Sequence, residues 1–208
     1  SSSRTFAPFE LIHCDLWTSP VVSFSSFKYY LIVLDDYTHF SWSFPLRNKS
    51  DTSDTLQRFF SFVRTQYNVI IKALQCDNGG EFINSSLRAF FSTNGIAYHF
   101  SCPHTSPQNG KAERLIRTTN DIVRTLLLQA TLPPPFWVKA LHTATYLLNQ
   151  ALPVPSTAKH LTTCSTAFIP PTTTYEFLGV FVTPTSMPLL PTNLHHALPV
   201  TSFLATHS

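Results

Sequence analysis

The stretch FELIHCDLWTSPVVSFSSFKYYLIVLDDYTHFSWSFPL (9–46) holds three β-rich runs in close succession. Phe9–Trp17 and Lys28–Asp36 are dense in branched and aromatic residues, and His39–Leu46 alternates apolar with polar side chains, so each reads as a strand. The short connections between them predict an antiparallel meander. Downstream, Ser50-Asp51 looks like a helix start, and Leu56, Phe59, Phe60 and Val63 recur at helical spacing. Val69–Asp77 (VIIKALQCD) is a nearly continuous apolar run, the pattern of a strand buried on both faces in mid-sheet. Asn84–Asn94 reads as a short helix closed by Asn94-Gly95, and Ile96–Ser101 as a fifth strand. Gly110–Leu132 reads as a long helix stopped by Pro133-Pro134-Pro135, with the amphipathic helix Phe136–Asn149 after the prolines. The order βββαβαβαα predicts an α/β domain with a mixed five-stranded sheet flanked by helices.

Composition limits the alternatives. The chain has 208 residues, 43% hydrophobic, with 18 Phe and only 5 Gly. That excludes a disordered charged tail as the main element, and a collagen-like or glycine-loop chain. Charged residues are 12%, against a usual ~25%. No apolar run approaches the ~18 residues that span a bilayer. Cys14, Cys76, Cys102 and Cys164 form no CxxC pair, so neither a zinc ribbon nor a disulfide scaffold is indicated, and they read as small buried residues. A start at Ser1-Ser2-Ser3 without Met or signal peptide suggests a piece of a longer, intracellular protein. Every Lys and Arg lies at or before Lys159, and every acid except Glu176 does too. This divides the chain into a linker (1–8), an α/β core (9–152) and a Thr- and Pro-rich tail (153–208) expected to be poorly structured. The mild positive charge of the core fits an anionic partner.

Three acids stand out. Asp15 lies in the apolar first strand, Asp77 ends the fourth just before Asn78-Gly79-Gly80, and Glu113 falls in the first turn of the long helix. Singly, each has an ordinary reading, as a turn residue or as an acid complementing a helix dipole. Together, strand ends and a helix start can bring three carboxylates to one sheet edge. Three oxygen donors without His or Cys suit Mg²⁺ or Mn²⁺. Two such ions about 4 Å apart assist phosphoryl transfer.

The segments FELIHCDLWTSP (9–20), YYLIVLDDYTHFSWSFPLRNKSD (29–51), LQCDNGGEF (74–82), NGIAYHFSCPHTSPQNGKAER (94–114) and FWVKALHTATYLLN (136–149) resemble the catalytic core of a copia-like LTR-retrotransposon integrase. Asp77 and Glu113, with 35 residues between them, match the family's D,D(35)E pattern. The resemblance implies an RNase H-like fold and a polynucleotidyl transferase that binds two Mg²⁺ or Mn²⁺ ions. Asp15, Asp77 and Glu113 are then both catalytic and metal-binding. It further implies 3′-end processing and strand transfer into target DNA, action as a homo-oligomer, no membrane, and a nuclear location. The loop from Cys102 to Gly110 resembles the family's active-site loop, with Gln108 and Asn109 placed to contact DNA.

Lys111, Arg114, Arg117 and Arg124 fall on or beside the long helix, the three arginines on one side of it by helical spacing, and such basic residues beside a metal site can hold phosphates. Their ordinary reading is a solvated face, with Glu113–Arg117 as a helical pair. Asp35-Asp36 is a rival acidic pair that reads better as the start of a turn at Tyr37-Thr38. Gly79-Gly80 reads as a tight turn, and Glu81 as a solvated neighbour. His13, His99, His104 and His142 have no ligand spacing and read as structural or exposed; Trp17, Trp42 and Trp137 read as packing groups.

Thr174–Leu178 is similar to an in-frame segment of the family, but 179–208 matches nothing as written. Codon degeneracy permits a shifted frame there that spells HKLAPRS and VFLGY, as in the family's continuation. A frameshift near Gly179 in a decaying copy of the element follows as a hypothesis, which the nucleotide sequence tests. Two further functional readings stand beside the integrase core. One is a decayed, non-catalytic remnant with at most weak DNA binding; the other is an RNase H-like nuclease acting on hybrids.

Overall fold

The computed structural model describes residues 5–77, 79–100 and 110–151. Gln108, Asn109 and the tail with its proposed frameshift lie outside them. Five strands form one sheet: β1 (Leu11–Thr18), β2 (Tyr29–Asp35), β3 (Ser41–Leu46), β4 (Ala73–Cys76) and β5 (Ala97–Phe100). Their spatial order is β3-β2-β1-β4-β5. The meander β1-β2-β3 is antiparallel, whereas β4 runs parallel to both β1 and β5. The sheet is therefore mixed, and β1 is its centre. Pro45 sits in β3, an edge strand that spares it an obligatory ladder donor.

Period-2 alternation gives each face of the sheet its own core. Ile12 and Cys14 of β1, with Leu31 and Val33 of β2, pack under α1 (Asp51–Tyr67) and α2 (Ser85–Asn94). Leu56, Phe59, Phe60 and Val63 supply the buried stripe of α1, as their spacing predicts. The other face carries Tyr30 and Ile32, covered by α3 (Gly110–Gln129) and α4 (Trp137–Ala151). A single turn of 3₁₀ helix, Pro134–Phe136, leads into α4. The result is three layers, helix pair, sheet, helix pair.

Local chemistry sets the helix ends. Asn84 caps α2 by accepting from the Leu87 N–H at 2.7 Å, and Gly95, at φ +66°, closes it in the left-handed conformation. Ser50 precedes α1 without capping it; the Asp51 carboxylate instead accepts from the Asn48 N–H at 3.0 Å.

One expectation changes in extent. The apolar run Val69–Asp77 becomes a strand only over Ala73–Cys76, and only alternate residues of it are buried. Ile70 is 58% exposed, and the stretch ahead of β4 serves as a connection. Among the described residues, no helix is long and apolar enough to cross a membrane.

Candidate active site

On β1 the side chains at positions 13, 15 and 17 share the face covered by α3 and α4, because those at 12 and 14 belong to the opposite core. Asp15 thus lies on the sheet beneath the start of α3. Asp77 is the first residue beyond β4, the parallel neighbour of β1, and its carboxylate accepts from the Gly79 N–H at 3.1 Å. Glu113 stands in the first turn of α3, with an exposed side chain. The three acids, from three distant segments, gather at one end of the central strands.

The charge of this gathering shows on Asp15. Burial first, then the Asp77 carboxylate, with Glu113 and Glu81 adding, push its pKa up to about 7, against a hydrogen bond from the Leu16 N–H at 2.8 Å that opposes the shift. A carboxyl so placed is half-protonated near neutrality and gains from any cation that neutralises its neighbours. Among the described residues, no three His, Cys, Asp or Glu side chains are already arranged as a metal-ligand set.

Glu81 is not the solvated neighbour its place in the sequence suggested. Its side chain is 12% exposed and faces Lys49 at 3.8 Å. It folds back over Gly79, where an added Cβ would lie 2.8 Å from the Glu81 carboxyl carbon. Gly79 therefore leaves room for the Glu81 carboxylate, and neither it nor Gly80 has a positive φ. The turn is anchored further on, where the Tyr98 hydroxyl donates to the Phe82 carbonyl at 2.5 Å and Phe82 is fully buried. The Cys76 thiol donates to the same Tyr98 oxygen at 3.3 Å.

Asp35 behaves as a turn residue, accepting from the Thr38 N–H and hydroxyl and from the Phe9 N–H. Asp36 does more. His13 hydrogen-bonds it through Nε2 at 2.7 Å, Thr5 donates its hydroxyl at 2.8 Å, and the Lys111 ammonium closes on it from α3. Burial pushes the Asp36 carboxyl up, but these hydrogen bonds outweigh it and hold the group below its usual value. Burial lowers the His13 pKa, against the Asp36 carboxylate, which raises it. The alternation that puts His13 on the face of Asp15 was the available signal for this cluster.

Of the basic candidates, Lys111 is engaged with Asp36, whereas Arg114 and Arg117 are exposed and form no ion pair among the described residues. The pairing of Glu113 with Arg117 is not formed. Arg124 pairs with Asp121 at 3.1 Å. The tryptophans pack: Trp17 lies 5.1 Å from Tyr30 and 6.2 Å from Trp137, and Trp42 sits in the opposite core.

Residues 6–106 match the family model of the integrase core domain. The chain is also 39% identical over 155 residues to the Pol polyprotein of transposon RE2 and 36% identical to that of RE1, both from Arabidopsis thaliana. It belongs to the copia-like integrase cores. A third relative, the Pol polyprotein of transposon TNT 1-94 from Nicotiana tabacum, is 33% identical over 156 residues. Each alignment covers 74% of this chain, which spans only about a tenth of those polyproteins. The integrase core fold is shared with the HTLV-2 integrase catalytic core domain, solved with magnesium in a trimeric form: TM-score 0.54, 16% identity, 71% of this chain and 89% of that one. It is shared too with a chain of the simian T-cell lymphotropic virus intasome bound to PP2A regulatory subunit B56 gamma: TM-score 0.56, 13% identity, 69% and 49%. The RNase H-like architecture expected from the resemblance is thus the one observed.

Proposed function

We propose that this integrase core cuts and joins DNA phosphodiesters by metal-assisted phosphoryl transfer, processing the 3′ ends of retrotransposon DNA and inserting them into host DNA. The observation that carries the reading is the Asp15 carboxyl, driven to about 7 by burial and by the acids of two other segments. Such a pocket of unneutralised negative charge fits divalent cations, and its oxygen-only donor set fits Mg²⁺ or Mn²⁺. The magnesium in the HTLV-2 core, which has the same fold, supports the choice.

Asp15, Asp77 and Glu113 would be the residues that hold the ions, with Asp15 on the central strand. Glu113 is exposed, and its charge is felt at Asp15. Bound there, the ions would lower the pKa of an attacking water or 3′-hydroxyl and stabilise the leaving oxygen. The chain's own residues supply the rest. Gly79 orients the Asp77 carboxylate, and Arg114 and Arg117 offer free positive charge for phosphates on the helix that carries Glu113. Gln108 and Asn109, which precede that helix in the sequence, are the further residues proposed to contact DNA. The intasome and the trimeric core among the structural neighbours support action as a homo-oligomer, and a chromosomal target implies nuclear work.

The test is a disintegration assay, the reversal of strand transfer on a branched DNA, with purified 1–208, Mn²⁺ and the Glu113→Gln variant. Activity in the parent alone supports the reading. Silence from a protein that circular dichroism shows to be folded overturns it in favour of a decayed remnant. Cleavage of RNA–DNA hybrids without strand transfer would make it a nuclease.

A further inference from the structure

Asp36 joins three parts of the fold on one carboxylate. It ends the β2 side of the β1–β2 hairpin, where its N–H donates to the Leu11 carbonyl at 2.9 Å. His13 of β1 meets its Oδ1 at 2.7 Å, and the Lys111 ammonium from α3 reaches the same oxygen. Thr5 occupies Oδ2 at 2.8 Å. Asp36 and His13 are 8% and 5% exposed, so the bond between them forms away from water, while Lys111 reaches the carboxylate from the solvent side. Lys111 is the lysine that pairs with Asp36.

The placement of the partners is what gives the cluster a role. His13 lies two residues before Asp15 on β1, and Lys111 lies two residues before Glu113 on α3. On the strand that interval puts His13 on the face of Asp15, whereas on the helix it puts Lys111 in the same first turn as Glu113 but about 200° around it. On the inner side of this turn Ala112 is fully buried, so little more than a methyl group otherwise seats it on the sheet.

We propose that Asp36 is a positioning residue: by holding His13 and Lys111 together it registers the first turn of α3 on β1, and so sets Glu113 opposite Asp15. The inference rests on the metal-binding reading of those acids. It reassigns Lys111, whose ammonium is paired with Asp36, and leaves phosphate binding on this helix to Arg114 and Arg117. Groups that orient metal ligands from behind typically change metal affinity by about 10- to 100-fold when removed.

Two readouts on purified 1–208 test this. Mn²⁺ binding, followed by the electron paramagnetic resonance signal of the free ion, is compared for the parent, Glu113→Gln, Asp36→Asn, Lys111→Met and Lys111→Arg. Hydrogen exchange of the peptide covering 110–117 is compared without metal. Lys111→Met and Asp36→Asn should weaken Mn²⁺ binding about 10-fold and speed exchange in the first turn of α3, while Lys111→Arg restores both. Parental Mn²⁺ affinity and parental exchange in Lys111→Met overturn the proposal, and a fall in its DNA affinity alone returns Lys111 to the phosphate surface. If Glu113→Gln binds Mn²⁺ as the parent does, the metal reading fails instead, and exchange alone then decides whether Asp36 registers the helix. Should Asp36→Asn not fold, Lys111→Met still decides, because its side chain is 45% exposed.

Discussion

The Asn149 carboxamide closes on both backbone groups of Ser41, accepting its N–H at 2.9 Å and donating to its carbonyl at 2.8 Å. It does for the edge strand β3 what a sixth strand would do, from a helix 108 residues away. Both residues are buried, so Asn149→Ala leaves a donor and an acceptor without partners. The expected cost is about 2–4 kcal/mol in urea unfolding. Asn149→Asp should cost as much or more, because its carboxylate cannot donate to the Ser41 carbonyl.

Asp15 gives the metal-free protein a distinctive pH dependence. Its carboxyl titrates near 7 in the fold and near 3.8 in the unfolded chain. Between those values the folded state holds the extra proton, so this group makes stability fall as pH rises from about 4 to about 7. The gap corresponds to at most about 4 kcal/mol, less the screening by water that reaches the site. His13, lowered by burial, acts in the opposite sense, so the comparison must be made against Asp15→Asn. Thermal melts in chelator should show the parent losing stability relative to that variant between pH 5 and pH 8. Mn²⁺ should raise the parent's Tm more at the upper pH. Parallel curves would remove the shared negative field from the site.

Gly79→Ala separates space from conformation. The collision is with the mobile end of Glu81, so the fold should lose less than about 1 kcal/mol. The displaced Glu81 carboxylate then repels Asp15 less, and the Asp15 pKa, followed by carboxyl ¹³C resonance, should fall. Gly95→Ala, at φ +66°, should instead cost about 1 kcal/mol without moving Asp15.

Arg117 is exposed and without an ion pair among the described residues, whereas Arg124 already has Asp121. Arg117→Ala should weaken DNA binding for all sequences alike and reduce the slope of log K against log salt by about 1. Arg124→Ala should change the slope less. Equal slopes for parent and Arg117→Ala would take this face of α3 off the DNA.

The fold was legible because the informative patterns were local. Alternation along residues 9–46, helical spacing from Leu56 to Val63 and the Asn94-Gly95 stop each describe one element and its own neighbours. The run from Val69 misled because apolar residues in series mark a buried strand and an apolar connection equally. The three acids were legible through a motif, but their convergence came from the sheet order, which places β4 beside β1. Glu81 and Asp36 were not legible in their roles. The first depends on a fold-back over Gly79, and the second on a contact spanning 75 residues. The alternation on β1 pointed to His13, but nothing in spacing or composition pointed to its partner Asp36 or to the fold-back of Glu81.

The central position of β1 also orders events in time. On one side it pairs with β2 in a hairpin complete by Asp35; on the other it waits for Ala73 to come back alongside Leu11. A chain emerging from synthesis can thus set Asp15 in place early, through contacts that close cheaply. Asp77 arrives only with the long-range parallel pairing, and Glu113 later still. The repulsion among these carboxylates is consequently absent while the meander nucleates and is met only as the sheet closes. In a chain that forms its contacts in this order, the topology would keep these acidic side chains apart until most of the fold is built.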